Sequence, residues 1–234
     1  SEPSALSIAI SNEIDVSCFG FNDGTITADA DGGTPINGIP PKYHYTWSNG
    51  FNEQIDISTA SGLAPGVYTV TATDDNGCTL TDSAIISEPT AIVINLNSSI
   101  NVTTYGGNDG ALLTSAYGGA NGFTYQWTGP SSFIASTMNI YNLVAGTYYL
   151  TATDAAGCYE NDSFVVTQPP SLTAYLDSVI NLSCNGICTG ELYITADGGD
   201  SAYTYLWYGP NGYTSTDEDI DSLCAGIYTL ELSD

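Results

Sequence analysis

The sequence predicts an all-β protein: three antiparallel β-sandwich domains in tandem, strung into an extended rod. Three observations carry that prediction: a phrase that returns at a fixed interval, short alternating segments bounded by turn residues, and no helical periodicity. The phrase reads Gly62-Leu63-Ala64-Pro65-Gly66-Val67-Tyr68 and runs on to Asp74. It returns as Asn142-Leu143-Val144-Ala145-Gly146-Thr147-Tyr148, running to Asp154, and again from Ser222-Leu223-Cys224-Ala225-Gly226-Ile227-Tyr228 to Asp234. The shared skeleton is Leu-x-x-Gly-x-Tyr, an alternating strand, then Asp. Tyr68, Tyr148 and Tyr228 are 80 residues apart in both intervals. That period exceeds the roughly 20–50 residues of a solenoid unit and suits a small domain with its own core.

The first domain is expected over 1–86. Leu6–Ile10 alternates as a first strand, and after Cys18 the turn Asn22-Asp23-Gly24 leads into Thr25–Ala30, which Gly32-Gly33 ends. A Pro- and Gly-rich insertion, Thr34–Pro41, lengthens this copy: Pro3 to Pro89 is 86 residues, against 80 from Pro89 to Pro169. Tyr43–Trp47 alternates, a weaker strand lies near Gln54–Ile57, and Thr79–Ile86 closes the domain. The second domain (87–166) repeats the order with Ile92–Leu96, Asn108-Asp109-Gly110, Gly118-Gly119 and Tyr125-Gln126-Trp127. The third (167–234) gives Leu172–Leu176, Gly198-Gly199 and Tyr205-Leu206-Trp207.

Trp47, Trp127 and Trp207 should point inward from a middle strand. Tyr68, Tyr148 and Tyr228, each at the start of a late strand, suit a tyrosine corner, with the ring packed and the hydroxyl returning to nearby backbone. Gly66, Gly146 and Gly226 would supply backbone conformations closed to other residues. Asp74-Asp75-Asn76-Gly77 and Asp154-Ala155-Ala156-Gly157 read as hairpin turns. The junctions Glu88-Pro89-Thr90 and Gln168-Pro169-Pro170 are short and semi-rigid. At about 3.3 Å per strand residue, each domain spans about 30–40 Å and three give a rod of order 100 Å. Ser1-Glu2-Pro3 matches Ser87-Glu88-Pro89, and Asp234 matches Asp74 and Asp154, so the chain reads as a segment cut from a longer array, its third domain truncated.

Charge narrows the function. There are 26 acidic side chains, one lysine (Lys42) and no arginine, for a net charge of −25. Nucleic acid is effectively excluded, because phosphate binding needs Lys or Arg, and an anionic membrane is repelled in the same way. Apolar residues make up 42% of the chain, as in a folded protein. No apolar run approaches the ~20 residues of a membrane span, and targeting sequences are not expected in a segment cut from a longer array.

Six cysteines fall at repeat-related positions. Cys18 opens and Cys78 closes the first copy, so a Cys18–Cys78 bridge is expected. Cys188 and Cys224 occur only in the third copy and are expected to pair. Cys158 and Cys184 are left free or paired with each other across the junction, Thr104 standing where the second copy would open with cysteine. Disulfides imply an oxidising, extracellular setting.

The segments Cys18–Gly24, Gly32-Gly33-Thr34, Tyr45-Thr46-Trp47-Ser48-Asn49-Gly50, Gly62–Val70 and Asp74–Cys78 together resemble the SprB repeat. The resemblance, in some version, covers nearly the whole chain. It implies an immunoglobulin-like fold, similar to polycystic-kidney-disease-type domains, in long arrays on gliding-motility cell-surface adhesins exported by type nine secretion. It implies no catalytic residues. The Thr34–Pro41 insertion, Thr104, Cys188 and Cys224 depart from the pattern.

Enzyme chemistry finds no asymmetric site. His44 is the only histidine, replaced by Thr124 and Thr204 in the other copies, and reads as an outward-facing strand residue. Asp217, Asp219 and Asp221 form the densest candidate calcium cluster, without EF-hand spacing; otherwise no cofactor is expected. Tyr43, Tyr203 and Tyr208 are candidates to lie outside the core, where sugar rings could stack. Asp-Ser followed by an apolar residue marks Ser83, Ser178 and Ser222 as candidate O-glycan acceptors. The expected role is a non-catalytic stalk whose partners are neighbouring repeats and surface polysaccharide, with carbohydrate binding by the repeats themselves as the alternative.

Overall fold

The computed structural model describes residues 3–36, 42–184 and 186–234. Residues 1–2 and the insertion residues 37–41 lie outside them. Among the described residues the structure is all β apart from two short 3-10 turns, Pro130–Ser132 and Pro210–Gly212.

In the first sequence copy, period-two alternation produces seven strands. They are β1 (Ser7–Ile14), β2 (Gly24–Asp31), β3 (Tyr43–Trp47), β4 (Asn52–Ile55), β5 (Ile57–Leu63), β6 (Gly66–Thr73) and β7 (Thr79–Ile86). The weak strand expected near Gln54–Ile57 is in fact the end of β4 and the start of β5, which belong to different sheets. One sheet runs β1-β2-β5 and the other β4-β3-β6-β7, all antiparallel. This is the immunoglobulin-like arrangement, with the tryptophan on the third strand and the corner tyrosine at the start of the sixth. The strict alternation of β3, with Tyr43, Tyr45 and Trp47 buried and His44 and Thr46 exposed, shows why one face builds the core.

Seven further strands follow in the same order: β8 (Val93–Ile100), β9 (Gly110–Tyr117), β10 (Thr124–Gly129), β11 (Phe133–Ala135), β12 (Ile140–Leu143), β13 (Gly146–Thr153) and β14 (Tyr159–Val166). They form sheets β12-β9-β8 and β11-β10-β13-β14. The last six are β15 (Thr173–Ile180), β16 (Gly190–Asp197), β17 (Thr204–Tyr208), β18 (Thr214–Ser215), β19 (Ile220–Leu223) and β20 (Thr229–Ser233), in sheets β15-β16-β19 and β18-β17-β20.

The chain divides into two compact units. One holds 1–95 with 115–125 and 151–162, and the other 96–114, 126–150 and 163–234. The first is centred on Ile26, Ala28, Tyr43, Tyr45, Trp47, Val70, Ala72 and Ile86, drawn from both sheets. Its aromatic tips are satisfied: Trp47 Nε1 donates to Ser58 Oγ (2.9 Å), and Ser58 Oγ to Glu53 Oε1 (2.6 Å). The Tyr45 hydroxyl donates to the Asp56 carbonyl and accepts from the Ala30 N–H. Burial pushes the Tyr45 phenol up to about 12, so it remains a donor. In the second unit Trp127 is fully buried and packs on Phe164, while Trp207 gathers Ile194, Ile220 and Leu223.

Candidate functional site: the corner, the bulge and the cysteine turns

The repeated phrase folds into the same frame each time. It begins with a β-bulge. Register slips place Gly62, Asn142 and Ser222 opposite no partner, with φ of 68°, 56° and 55°. Leu63, Leu143 and Leu223 then turn into the core. The Tyr68 hydroxyl donates to the Ala64 carbonyl (2.9 Å), Tyr148 to Val144 (3.0 Å) and Tyr228 to Cys224 (3.1 Å). Each tyrosine thus caps its own turn four residues back, as a tyrosine corner does.

The glycine between them has more than one reason to be there. Gly66 and Gly146 sit at φ of 156° and 151°. Gly226 does not have positive φ, which corrects the expectation for that position. A Cβ there would lie 2.5 Å from Pro210 Cγ, and one on Gly146 would collide with Pro130. Pro130 and Pro210 follow Gly129 and Gly209, where a Cβ would strike the corner tyrosine rings, 2.5 Å from the nearest ring carbon in each. Close approach rather than dihedral freedom selects glycine at 226.

In the first two copies the phrase ends in a buried aspartate. The Asp74 carboxylate accepts from the N–H groups of Thr34 (2.9 Å), Asn76 (3.0 Å) and Cys78 (2.8 Å). Asp154 repeats this with Ala120 (2.8 Å), Ala156 and Cys158 (2.9 Å each). In both, the backbone donors, the one from the Gly-Gly loop foremost, hold the carboxyl below its ordinary range. Its role is wider than a hairpin turn, because it ties the turn to the end of the second strand. Sequence reading missed that reach; the Gly-Gly pairs marked the loop, but not that the aspartate bonds to it.

The opening loops share one frame as well. Phe21, Gly107 and Ile187 N–H groups donate to the carbonyls of Cys18, Thr104 and Cys184, with Gly20, Gly106 and Gly186 at φ of 76°, 73° and 82°. Glu88 Oε2 accepts from Gly20 N and Gln168 Oε1 from Gly106 N, so the linker residue before proline fastens the first two of these loops.

The disulfides differ from the expected set. Cys18 is bonded to Cys158, with Cα atoms 5.7 Å apart, and not to Cys78. Cys158 is therefore neither free nor paired with Cys184; the free cysteines are Cys78 and Cys184, both exposed. The reason is geometric. Val16 N–H donates to the Ser87 carbonyl, so the opening loop lies at the end of β7, whereas Cys78 precedes its start. Eight residues of strand separate the two cysteines, about 26 Å at 3.3 Å per residue, while a disulfide needs Cα atoms within about 7 Å. The linker carries the chain the other way. Thr90 O accepts from Gly119 N, and Asp154 holds Ala120 and Cys158, which brings the Cys158 turn beside Cys18. Pro89, Ile92, Phe19, Phe21 and Tyr159 line the groove around this bridge. A second disulfide joins Cys188 and Cys224.

The remaining candidates are placed as follows. His44 is exposed on β3. Tyr43 is core, 1% exposed, with its hydroxyl donating to the Gly32 carbonyl, so it is not the surface residue expected; Tyr208 is exposed. Tyr203 is half-buried and bonds to the Gly198 carbonyl. Asp219 Oδ1 accepts from Ile194 N, and Asp217 Oδ2 from Ser215 Oγ. Among the described residues no three His, Cys, Asp or Glu side chains gather as a metal site. Ser83, Ser178 and Ser222 are all exposed, Ser222 on its left-handed bulge. No aromatic position is exposed in all three copies among the described residues.

In the third copy, a groove of about 730 Å³ opens between the sheets, lined by Leu176, Ile180, Leu192, Trp207, Tyr228 and Leu230. In the first copy, the strand β7 lies alongside β6 and buries Ala84 and Ile86 in the corresponding place; among the described residues β20 has no such neighbour.

Paired antiparallel sheets, a central tryptophan strand and a tyrosine corner define the class as immunoglobulin-like repeats. More particularly, the SprB repeat family model matches residues 13–52, within the first copy, and 177–212, within the third. Among solved structures, the chain is similar to a C-terminal fragment of intimin in complex with the intimin-binding domain of its translocated receptor. The identity is 14%, the cover 76% of this chain and 67% of that one, and the TM-score 0.35. A tetra-tandem repeat from the extending region of a large adhesion protein is 14% identical, over 98% of this chain and 65% of that one, with a TM-score of 0.28. Sidekick-1 immunoglobulin domains 1–5 are 13% identical, over 92% and 50%, with a TM-score of 0.35. No curated protein matches the chain. Among the described residues no helix is long and apolar enough to cross a membrane.

Proposed function

We propose that this chain is a run of non-catalytic structural repeats from the stalk of a large bacterial cell-surface adhesin, exported by type nine secretion and serving attachment and gliding outside the cell. The SprB-repeat match in the first and third copies is the observation that carries this reading. The recurrent residues support it, because they serve packing: the tryptophans fill cores, the tyrosines cap corners and the aspartates tie loops. The partners are neighbouring repeats, and surface polysaccharide is met by other parts of the adhesin. No cofactor is needed. Backbone and hydroxyl donors already occupy an oxygen of Asp217 and of Asp219, and a calcium titration should give no heat and an unchanged Tm.

The deciding experiment is an in-frame deletion of these copies in the native host, paired with a glycan array on the isolated chain. A stalk predicts that cells keep their ligand preference while attachment at a distance weakens, and that the array stays blank. Reproducible binding of one glycan class would replace the stalk reading with carbohydrate binding by the repeats. Chain from the host should also carry extra mass at Ser83, Ser178 or Ser222.

A further inference from the structure

Two cysteines remain unpaired, and they are not two of a kind. Cys184 occupies the opening position held by Cys18, and Cys78 the closing position held by Cys158. The frames agree in detail. Cys184 O accepts from Ile187 N as Cys18 O does from Phe21 N, with a positive-φ glycine between in both. Cys78 and Cys158 both donate N–H to the aspartate four residues before (2.8 and 2.9 Å), and both lend their carbonyl to that aspartate's N–H. The bridge that does form runs from the opening loop of one copy to the closing turn of the next. Opening and closing cysteines within one copy lie a strand length apart and cannot meet.

We propose that Cys184 and Cys78 are the two complementary halves of this same inter-repeat bridge, Cys184 suited to the closing cysteine of a following repeat and Cys78 to the opening cysteine of a preceding one, so that two copies of this chain can be joined head to tail through them. The rule is directional. An opening cysteine takes the closing cysteine of the repeat that follows, so like cysteines do not pair. Phe19 and Phe21 flank Cys18 as exposed apolar side chains, and Ile187 stands exposed beside Cys184.

The bond forms by thiol–disulfide exchange with a small disulfide oxidant such as oxidised glutathione. The Cys184 thiolate attacks the oxidant, making a mixed disulfide and releasing one glutathione thiolate. The Cys78 thiolate of the second copy attacks Cys184 Sγ and expels the other glutathione. Two thiol protons and two electrons pass from the protein to the glutathione pair.

The test uses the full chain at about millimolar concentration, matching what a short linker supplies within a chain, in a glutathione redox buffer. Non-reducing electrophoresis should show a covalent ladder for the native sequence that collapses on reduction. Cys78→Ser alone and Cys184→Ser alone should stay monomeric, and an equal mixture of the two should give dimer and nothing larger. Digestion before aspartate, needed because Lys42 is the only basic cleavage site, should yield a Cys78–Cys184 cross-linked peptide and a separate Cys18–Cys158 peptide. Dimers from either single variant alone, a mixture that remains monomeric, or a Cys18–Cys78 peptide would each overturn the proposal.

Discussion

Tyr148 shows how much one side chain does at the residue scale. Its ring is 1% exposed and packs edge-on against Phe133, while its hydroxyl closes the turn on Val144. Tyr148→Phe keeps the ring and should cost about 0.5–1.5 kcal/mol in urea unfolding; Tyr148→Ala should cost about 3–5 kcal/mol, because it also empties the core. Asp154 makes a prediction in pH. Its folded carboxyl titrates below the ordinary range, so its contribution is fully present above the unfolded value of about 3.9 and is lost as pH falls through the folded value. Asp154→Asn places an amide donor against the Ala120 or Cys158 N–H. It should lower the Tm at pH 7 by several degrees and flatten the acid limb of the Tm profile relative to the native chain. Protonation of the other carboxylates affects both proteins, so the difference between the profiles isolates Asp154.

At the scale of the element, the same corner is held by different means in different copies. Gly226→Ala should destabilise by about 1–3 kcal/mol, because its new methyl meets Pro210. Pro210→Ala in the same chain should recover part of that loss. Gly66→Ala should be destabilising with no partner to trim, since its Cβ meets nothing nearer than 3.9 Å and its difficulty is the backbone. Strand pairing gives a second expectation. β6 is paired on both sides, by β3 and β7, whereas among the described residues β20 pairs only with β17. Amide exchange should therefore be faster along β20 than along β6. Equal protection of the two strands would contradict this reading of the third copy's groove.

For the whole molecule, two terms dominate: one covalent link between distant segments and a large negative charge. Cys18 and Cys158 are 140 residues apart in sequence, so their bridge closes a long loop in the unfolded chain. Its removal as Cys18→Ser should cost about 2–5 kcal/mol, while Cys78→Ser should leave the melting curve unchanged. If the two variants melted alike, the bridge would not be where it is placed. With a net charge of −25, the folded chain repels itself, and added monovalent salt should raise the Tm as screening shortens the reach of that repulsion.

Much of this was legible in the sequence, because it rests on local chemistry. Alternation of Tyr43, Tyr45 and Trp47 with polar neighbours fixes a half-buried strand wherever it sits, and Thr79–Ile86 emerged as β7 with the bounds expected. The return of Leu-x-x-Gly-x-Tyr declared three copies of one corner. Position in space was the missing part. Tyr43 is a candidate surface ring by sequence, since nothing in the sequence says that a strand's first residue is covered by the loop at Gly32. By sequence Gly226 reads as a dihedral requirement, whereas Pro210 is what it makes room for. The cysteines show the difference most plainly. Spacing within a copy suggested Cys18 with Cys78, but spacing along a chain carries no information about which end of a sandwich a loop occupies. Only the direction of β7 and the linker after it decide that Cys18 meets Cys158.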